Sequence, residues 1–165
     1  MHKGMQFESE RLMYREICAA DAEEIVRWRS DPNTYVYFRN PKPLTLKEHL
    51  EWYESSYLKD PSRVDFIIVE KESKILIGLV GVSGIDGSTG QISYVIGEVD
   101  FLRRGFGAEA VNATVRHFGG IGIYSFYAEI HHHNIASIKT IKKCGFDFEK
   151  QLESGFLRYK REMFM

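Results

Sequence analysis

Arg103-Arg104-Gly105-Phe106-Gly107 is the stretch whose residue types and spacing most directly describe chemistry. Glycines at 105 and 107 let the main chain approach a ligand closely and adopt positive φ, and two arginines add positive charge beside it. The segment before it, Gln91 to Ile96, alternates as a strand does. The segment after it, Ala108 to Phe118, has helix-forming composition, with Ala110, Val111, Thr114, Val115 and Phe118 on one side. A strand that runs through a glycine-bearing loop into a helix leaves free N–H groups at a helix N-terminus, where donors and dipole both favour phosphate oxygens. Two familiar phosphate loops are excluded. There is no Gly-x-x-x-x-Gly-Lys-Ser/Thr run, and Ala110 stands where a dinucleotide fingerprint has its third glycine. The alanine form of that fingerprint belongs early in a chain, with an acid about 20 residues on. This loop lies late, and Glu129 is an imperfect match for the acid.

A second segment narrows the reading. Tyr124 to Ile130 alternates like a strand, and His131-His132-His133 leads to Asn134, a good helix N-cap. Ile135, Ile138, Ile141 and Cys144 then mark one helical face, and Gly145 with Phe146 ends it. The two segments together resemble the GNAT superfamily of N-acetyltransferases. In that family the acetyl-CoA loop reads Gln or Arg, two residues, Gly, one residue, then Gly or Ala; here it is Leu102-Arg103-Arg104-Gly105-Phe106-Gly107. The next helix opens Asn-x-x-Ala/Ser, here Asn134 to Ser137, and ends Lys-x-Gly-Phe, here Lys143-Cys144-Gly145-Phe146. One helix and one strand separate the two motifs, as they do in the family.

The resemblance implies acetyl-CoA as cosubstrate. Leu102, Arg103, Arg104, Gly105, Phe106, Gly107 and Ala108 would hold it, with Asn134, Ser137 and Lys143 on the following helix. Pantetheine would run beside Val95, Ile96 and Gly97, where a backbone N–H would polarise the thioester carbonyl. Two departures bear on mechanism. Leu102 removes the usual side-chain contact of a Gln or Arg. Ile141 stands where many members carry a tyrosine that protonates the departing thiolate, and Ser137 is the serine form of its motif. That combination is similar to the branch acetylating N-terminal amines of ribosomal proteins, in which the serine faces the CoA sulfur. Ser137 also reads simply as a small residue in a first helical turn.

Acetyl transfer to an amine needs the amine deprotonated, oriented against the thioester and stabilised at the oxyanion. Many relatives place a glutamate base on the strand before the phosphate loop. This strand offers Gln91, Ser93 and Tyr94, none of them a good base. Glu98 just beyond it, Glu129 on the next strand and His131 at that strand's exit are the candidates, in that order, with a water chain as their competitor. The histidine triplet also suggests a metal. In an extended segment only His131 and His133 point the same way, and no further ligand is obvious nearby, so a polar strand exit is the reading and no metal is expected.

Around these motifs the chain reads as one domain, 1–165, with a sizeable core: 44% of its 165 residues are hydrophobic and 13% aromatic. Basic and acidic side chains number 22 and 23, a net charge of −1, which gives no electrostatic footprint for nucleic acid or membrane. No apolar run reaches the roughly 20 residues of a membrane span, and no signal-peptide pattern is seen. The two cysteines, Cys18 and Cys144, fit a reducing cytoplasm better than a disulfide framework. A monomer or a homodimer is expected.

The elements that must position the motifs follow from patterning. Met1 to Gln6 reads as frayed, Arg11 to Ile17 as a strand, and Asp21 to about Trp28 as a helix. Arg29 to Leu44 reads as a loop with two turn formers, and Thr45 with Glu48 as a capping box for a helix to about Leu58. Val64 to Glu70, Ile75 to Val82 and Gln91 to Ile96 read as strands, and Phe148 to Met165 as two more around Glu153-Ser154-Gly155. The order β-αα-βββ-α-β-α-ββ is that of the superfamily. It implies an α/β (α+β) fold, a mixed, mostly antiparallel twisted sheet of six to seven strands flanked by about four helices.

The early helices lie on the acceptor side. Ile25 to Pro32 and Lys47 to Trp52 resemble patterns of nucleotide-linked amino-sugar N-acetyltransferases, whereas the opening strand Arg11 to Glu16 resembles the ribosomal-protein branch. Trp28, Arg29, Tyr94 and His131 are expected to face the acceptor, with core anchoring as the alternative for Trp28 and recognition of an anion as the use of Arg29. The expected activity is transfer of acetyl to a primary amine of a small molecule, of which a nucleotide-linked amino sugar is one candidate. The alternatives are an N-terminal protein amine and, from another class, a non-catalytic acetyl-CoA sensor or interaction module.

Overall fold

Phe66, Ile67 and Ile68 are consecutive in one strand and each is 0% exposed, so both faces of the sheet they belong to must be covered. The computed structural model describes residues 4–163 and shows how. In chain order the elements are β1 (Gln6–Glu8), β2 (Leu12–Glu16), α1 (Ala22–Arg29), α2 (Pro32–Tyr35), α3 (Leu46–Ser55), β3 (Val64–Glu70), β4 (Leu76–Asp86) and β5 (Thr89–Ile96). There follow α4 (Phe106–Gly119), β6 (Ser125–His131), α5 (Ile135–Lys143), β7 (Asp147–Gln151) and β8 (Phe156–Glu162). The eight strands form one sheet in the order β1-β2-β3-β4-β5-β6-β8-β7. Every neighbouring pair is antiparallel except β5 with β6.

Alternation along β3 divides the interior in two. Val64, Phe66 and Ile68 join Val111, Val115 and Phe118 of α4 and Ile141 of α5 on one face. Ile67 and Val69 join Ile25 and Trp28 of α1 and Tyr57 on the other. Helices with the phosphate-loop motifs therefore lie on one face and the early helices on the opposite one.

The strand count exceeds the six to seven expected because β1, Gln6–Glu8, forms from the last residue of the head read as frayed and the two that follow it. Phe7 of β1 stacks on Tyr14, 4.5 Å between ring centroids, and on His117 of α4 at 4.3 Å, burial that a composition reading of six residues does not reveal. Met1 to Lys3 and the expected strand end at Met165 lie outside the described residues. A fifth helix, α2, replaces part of the expected loop. Asp31 caps it by accepting the Asn33 N–H at 2.9 Å, and Pro32 fills its first position; the turn signal and the helix-start signal share those residues. The second long helix stops at Ser55, with a 3-10 turn over Tyr57–Lys59 where helix to Leu58 was expected.

One contact fixes α1 against the end of β5. A Cβ placed on Gly97 would fall 2.2 Å from Cδ1 and Cγ of Trp28, so the indole occupies the space a side chain would need. Gly97→Ala ordinarily gains a few tenths of a kcal/mol from the unfolded chain; here overpacking outweighs it. The variant is expected to lose about 1–3 kcal/mol, read as a lower urea midpoint at unchanged m-value.

Candidate active site

β5 and β6 pair in parallel only at Thr89–Ser125, Gly90–Phe126 and Gln91–Tyr127. Beyond Gln91 they part, while β5 continues to Ile96 on β4. Gly97 donates its N–H to Ile77 O at 2.8 Å, which sets the alternation of the ladder. Residues in step with Gly97 bond toward β4, and Tyr94 and Ile96 direct N–H and C=O into the opening that β6 has left. Of the expected Val95-Ile96-Gly97 contact strip, Ile96 is thus the residue with main-chain groups facing the cleft. Gly97's N–H is already spent, and its missing side chain serves Trp28.

The phosphate-loop motif opens α4 as the sequence implies. Gly105 is its N-cap at φ 79°, and Arg103 also has positive φ, 60°. Glu109 N–H makes the bond to Gly105 O at 3.1 Å, so the N–H groups of Phe106, Gly107 and Ala108 precede the first intrahelical bond and point out of the helix end. Gly107 is tight on its other side: a Cβ there would lie 2.8 Å from Cε2 of Tyr94. Leu102 is 46% exposed and offers the loop no polar side chain. A helix end with three outward donors and a glycine in its first turn suits a phosphate-bearing ligand such as acetyl-CoA.

Arg104, expected to add positive charge beside the loop, is engaged within the protein. It lies 3.6 Å from Glu70 and over the rings of Phe101 and Phe106. Arg11, unmarked in the sequence, donates to Arg104 O at 2.9 Å, covers the Phe106 ring at 4.1 Å and pairs with Glu109 at 2.7 Å. Burial pushes the Glu109 carboxyl up, but hydrogen bonds from Ser9 and Arg11 outweigh it and hold the group below the usual carboxylate range. On α5, Asn134 accepts the Ser137 N–H at 3.3 Å as its cap, and Cys144 Sγ lies 3.6 Å from Ala108 O, tying α5 to α4. Lys143 is exposed in the last turn of α5.

Two residues expected on the acceptor side lie elsewhere. Trp28 is 1% exposed, an anchor of the second core cluster that presents no surface to a ligand. Tyr94 packs with the α4/α5 cluster, because even-numbered β5 positions face those helices.

The candidate bases are similarly engaged. Glu98 accepts the Trp28 indole N–H at 2.6 Å and a bond from Arg27. Glu129 accepts from Arg39 at 2.7 Å and from Arg158 at 3.0 and 2.5 Å. In each, burial would raise the carboxyl pKa, but these donors dominate and lower it. His131 Nδ1 accepts the His133 N–H at 3.1 Å, which assigns its proton to Nε2, the tautomer that donates. Desolvation and the neighbouring His132 and His133 hold it below the ordinary imidazole value. His132 Nδ1 is 2.9 Å from Gly155 O, and among the described residues no group of three His, Cys, Asp or Glu is arranged to hold a metal.

A polar cluster the sequence reading did not assemble lies on the same face as α1. His49 is 3% exposed, and its Nε2 has no hydrogen-bond partner among the described residues. Arg29, close enough to depress the His49 pKa after burial has done so, is half-buried over Phe38 at 5.0 Å. Burial lowers its own pKa, and repulsion from Arg63 adds to that. The carboxylate that attracts it, Asp65, is paired with Arg63 at 3.0 Å. The signal for His49 was available: it lies within Lys47 to Trp52, one of the two segments that resemble the amino-sugar enzymes.

Residues 11–147 match the model of a family described as an acetyltransferase (GNAT) domain. An uncharacterized protein of Methanocaldococcus jannaschii is 31% identical over 147 residues, 87% of this chain, and the chain spans 30% of that protein's length. A crystal structure of a domain from the same organism superposes with TM-score 0.84 at 28% identity, covering 94% of this chain and all of that one. Spermidine N-acetyltransferase from Vibrio cholerae, solved with CoA and spermine, superposes at 0.85 over 94% of this chain and 97% of that one; at 18% identity it shows the shared fold.

The doubly held carboxylate gives a test with a definite sign. Because the Glu129 pKa is depressed on folding, its pairing stabilises the fold above the unfolded carboxylate pKa of about 4.3 and is lost as pH falls through the folded value. Glu129→Gln is expected to cost about 1–3 kcal/mol at pH 7, with wild type and variant converging in denaturant titrations only as pH falls through the depressed folded value. A cost that persists in acid would show that the lost contact is packing and not charge.

Proposed function

Because the chain belongs to the GNAT acetyltransferase family, we propose that it moves the acetyl group of acetyl-CoA directly to the primary amine of a nucleotide-linked amino sugar. The carrying observation is Arg29: a half-buried guanidinium whose attracting carboxylate is already taken by Arg63, beside a buried His49 with an orphaned Nε2. Arginine's fork of donors matches phosphate oxygens, and buried donors left unmatched by the chain itself point to a ligand that matches them. The resemblance of the two helix segments to amino-sugar enzymes supports the same acceptor.

The work divides between the two faces. The N–H groups of Phe106, Gly107 and Ala108 would bind the pyrophosphate of acetyl-CoA, and the cleft-facing main chain of Tyr94 and Ile96 would pair with pantetheine and polarise the thioester carbonyl. The amine attacks that carbon, and its proton leaves through water. The water route is favoured because Glu98 and Glu129 are ion-paired with lowered pKa values and His131 presents a donor. Orientation then supplies most of the acceleration. Ser137, partly exposed in the first turn of α5, would donate to the sulfur as negative charge develops there. A second reading, an N-terminal protein amine as acceptor, rests on the pairing of Ser137 with Ile141.

Thiol release from acetyl-CoA with UDP-glucosamine, spermidine and an N-terminal peptide as acceptors tests the acceptor. The expected result is turnover of UDP-glucosamine, with Arg29→Met raising its KM at least about tenfold, the worth of one charge-assisted hydrogen bond, and leaving KM for acetyl-CoA unchanged. Preference for the peptide, or an unaltered KM in the variant, would overturn it. For the cofactor, Gly107→Asp adds bulk against Tyr94 and a negative charge at the helix end. Its affinity for acetyl-CoA in calorimetry is expected to fall at least about tenfold, about 1.4 kcal/mol.

A further inference from the structure

Asp65, Gly81 and Ser93 lie side by side on β3, β4 and β5. They share the face of Ile67 and Leu79, the one packed by α1 and Tyr57. Gly81 has no side chain, and the Asp65 carboxylate occupies the space: a Cβ placed on Gly81 would fall 2.1 Å from Oδ1. Arg63 holds the other oxygen, with Nε 3.0 Å from Oδ2. No hydrogen bond to Oδ1 is found among the described residues, and the side chain keeps 13% of its surface open. Ser93 is exposed although it sits inside the sheet. β5 makes its last pair with β6 at Gln91 and Tyr127, so Ser93, two residues further, borders the opening. Glu129, two residues beyond Tyr127, stands at the opposite border. Two carboxylates thus flank the opening in one row. Glu129 is clasped by Arg39 and Arg158, whereas Asp65 has one partner and one unengaged oxygen.

We propose that Asp65 is the proton acceptor for the attacking amine: Oδ1 takes the proton through one water seated over Ser93. This rests on the reading of the cleft as an acetyl-CoA-dependent transferase site. Neighbouring strands lie about 4.8 Å apart, a gap that one water spans with two hydrogen bonds of about 2.8 Å. An amine arriving from the Arg29 side meets the thioester along Tyr94 to Ile96, next to Ser93. Burial raises the Asp65 pKa and Glu16 of β2 adds to it, while Arg63 and Arg29 of α1 pull the other way. The net rise suits a proton exchange near neutrality better than the lowered values of Glu98 and Glu129 do. Tyr57 accepts the Asp65 main-chain N–H at 3.1 Å and donates to Glu16 at 2.8 Å. His49 of α3 shares Arg29 as a neighbour, and at this row β4 and β5 bring only Gly81 and Ser93, which carry no charge.

The acceptor arrives as an ammonium. One proton passes through the water to Oδ1, leaving a neutral amine and an uncharged Asp65. The nitrogen lone pair forms the C–N bond. The tetrahedral intermediate then collapses, the C–S electron pair passing to sulfur. The nitrogen's second proton leaves through water, and the thiolate takes one up to become the thiol. Asp65 returns its proton to solvent and is a carboxylate again, so each turnover releases one proton.

The test follows thiol release by the full chain across pH, with UDP-glucosamine at saturation as acceptor. Wild-type kcat is expected to fall in acid as Asp65 protonates, with a limb above the ordinary aspartate value of about 3.9. Asp65→Asn should lower kcat at pH 7 about 100-fold or more. The loss should narrow as pH rises toward the amine's own titration, because free amine needs no acceptor. Calorimetric affinity for acetyl-CoA should stay within about twofold. A kcat loss under tenfold, or an equal loss at every pH with the limb unmoved, would overturn the proposal. If Asp65→Asn does not fold, Ser93→Val decides: at an exposed strand position it displaces the water and leaves Asp65 and Arg63 paired. It should cost kcat at least about tenfold, and a wild-type kcat there would overturn the proposal as well. A folded wild type that releases no thiol with UDP-glucosamine, spermidine or peptide overturns the transferase reading and this inference with it, a result distinct from an active enzyme indifferent to Asp65.

Discussion

Two parallel strands that pair for three residues and then separate leave main-chain donors and acceptors that the sheet itself does not satisfy. Everything else in this chain is arranged around that opening. On one side α4 begins against β5, with Gly107 in contact with Tyr94, so the unpaired N–H groups of a helix and those of a strand border the same opening. On the other, α1 is pinned to the end of β5 by Trp28 on Gly97 and by Glu98, which accepts from Trp28 and Arg27 together. Acetyl-CoA, in the reading given above, completes a sheet that the protein leaves incomplete, and the affinity follows from backbone groups more than from any one side chain.

Charge is used here mainly to hold the walls of the opening. Glu98, Glu109 and Glu129 border the opening, and each is engaged by two or more donors that keep it ionised. Fixed carboxylates of this kind set geometry and do not exchange protons near neutral pH. What stays available, in the proposed reading, includes Arg29 on the acceptor side and the hydroxyl of Ser137 on the cofactor side. In that reading, recognition of a charged acceptor and relief of charge at sulfur thus fall to different faces of one sheet.

The fold was legible because its cues are local. The Thr45/Glu48 capping box, the Asn134 cap and the glycine-bearing turn into α4 each act within one helical turn, and the structure has all three. The alternation read over Tyr124 to Ile130 likewise appears in β6, where every second residue is buried. The parts that escaped are those whose cause is distant in sequence. β1 forms because Phe7 finds Tyr14 and His117; Trp28 is buried because Gly97, some seventy positions later, lacks a side chain. Glu98 and Glu129 read as bases while their partners Arg27, Arg39 and Arg158 were unplaced. Tyr94 illustrates the same limit: its type was noted, but the face it occupies depends on the register between β4 and β5.

The Arg11–Glu109 pair has a consequence for how such a sequence can change over generations. Glu109 lies in the first turn of α4, among the N–H groups suited to a phosphate, and its charge is masked by Arg11 and Ser9 from the turn that precedes β2. A lineage that lost the arginine first would set a bare carboxylate beside an anionic ligand; one that lost the acid first would leave the arginine free to draw the ligand out of register. Neither single step is neutral. Positions 11 and 109 should therefore drift as a unit, preserved or exchanged together, although neither belongs to the motif by which the loop is recognised.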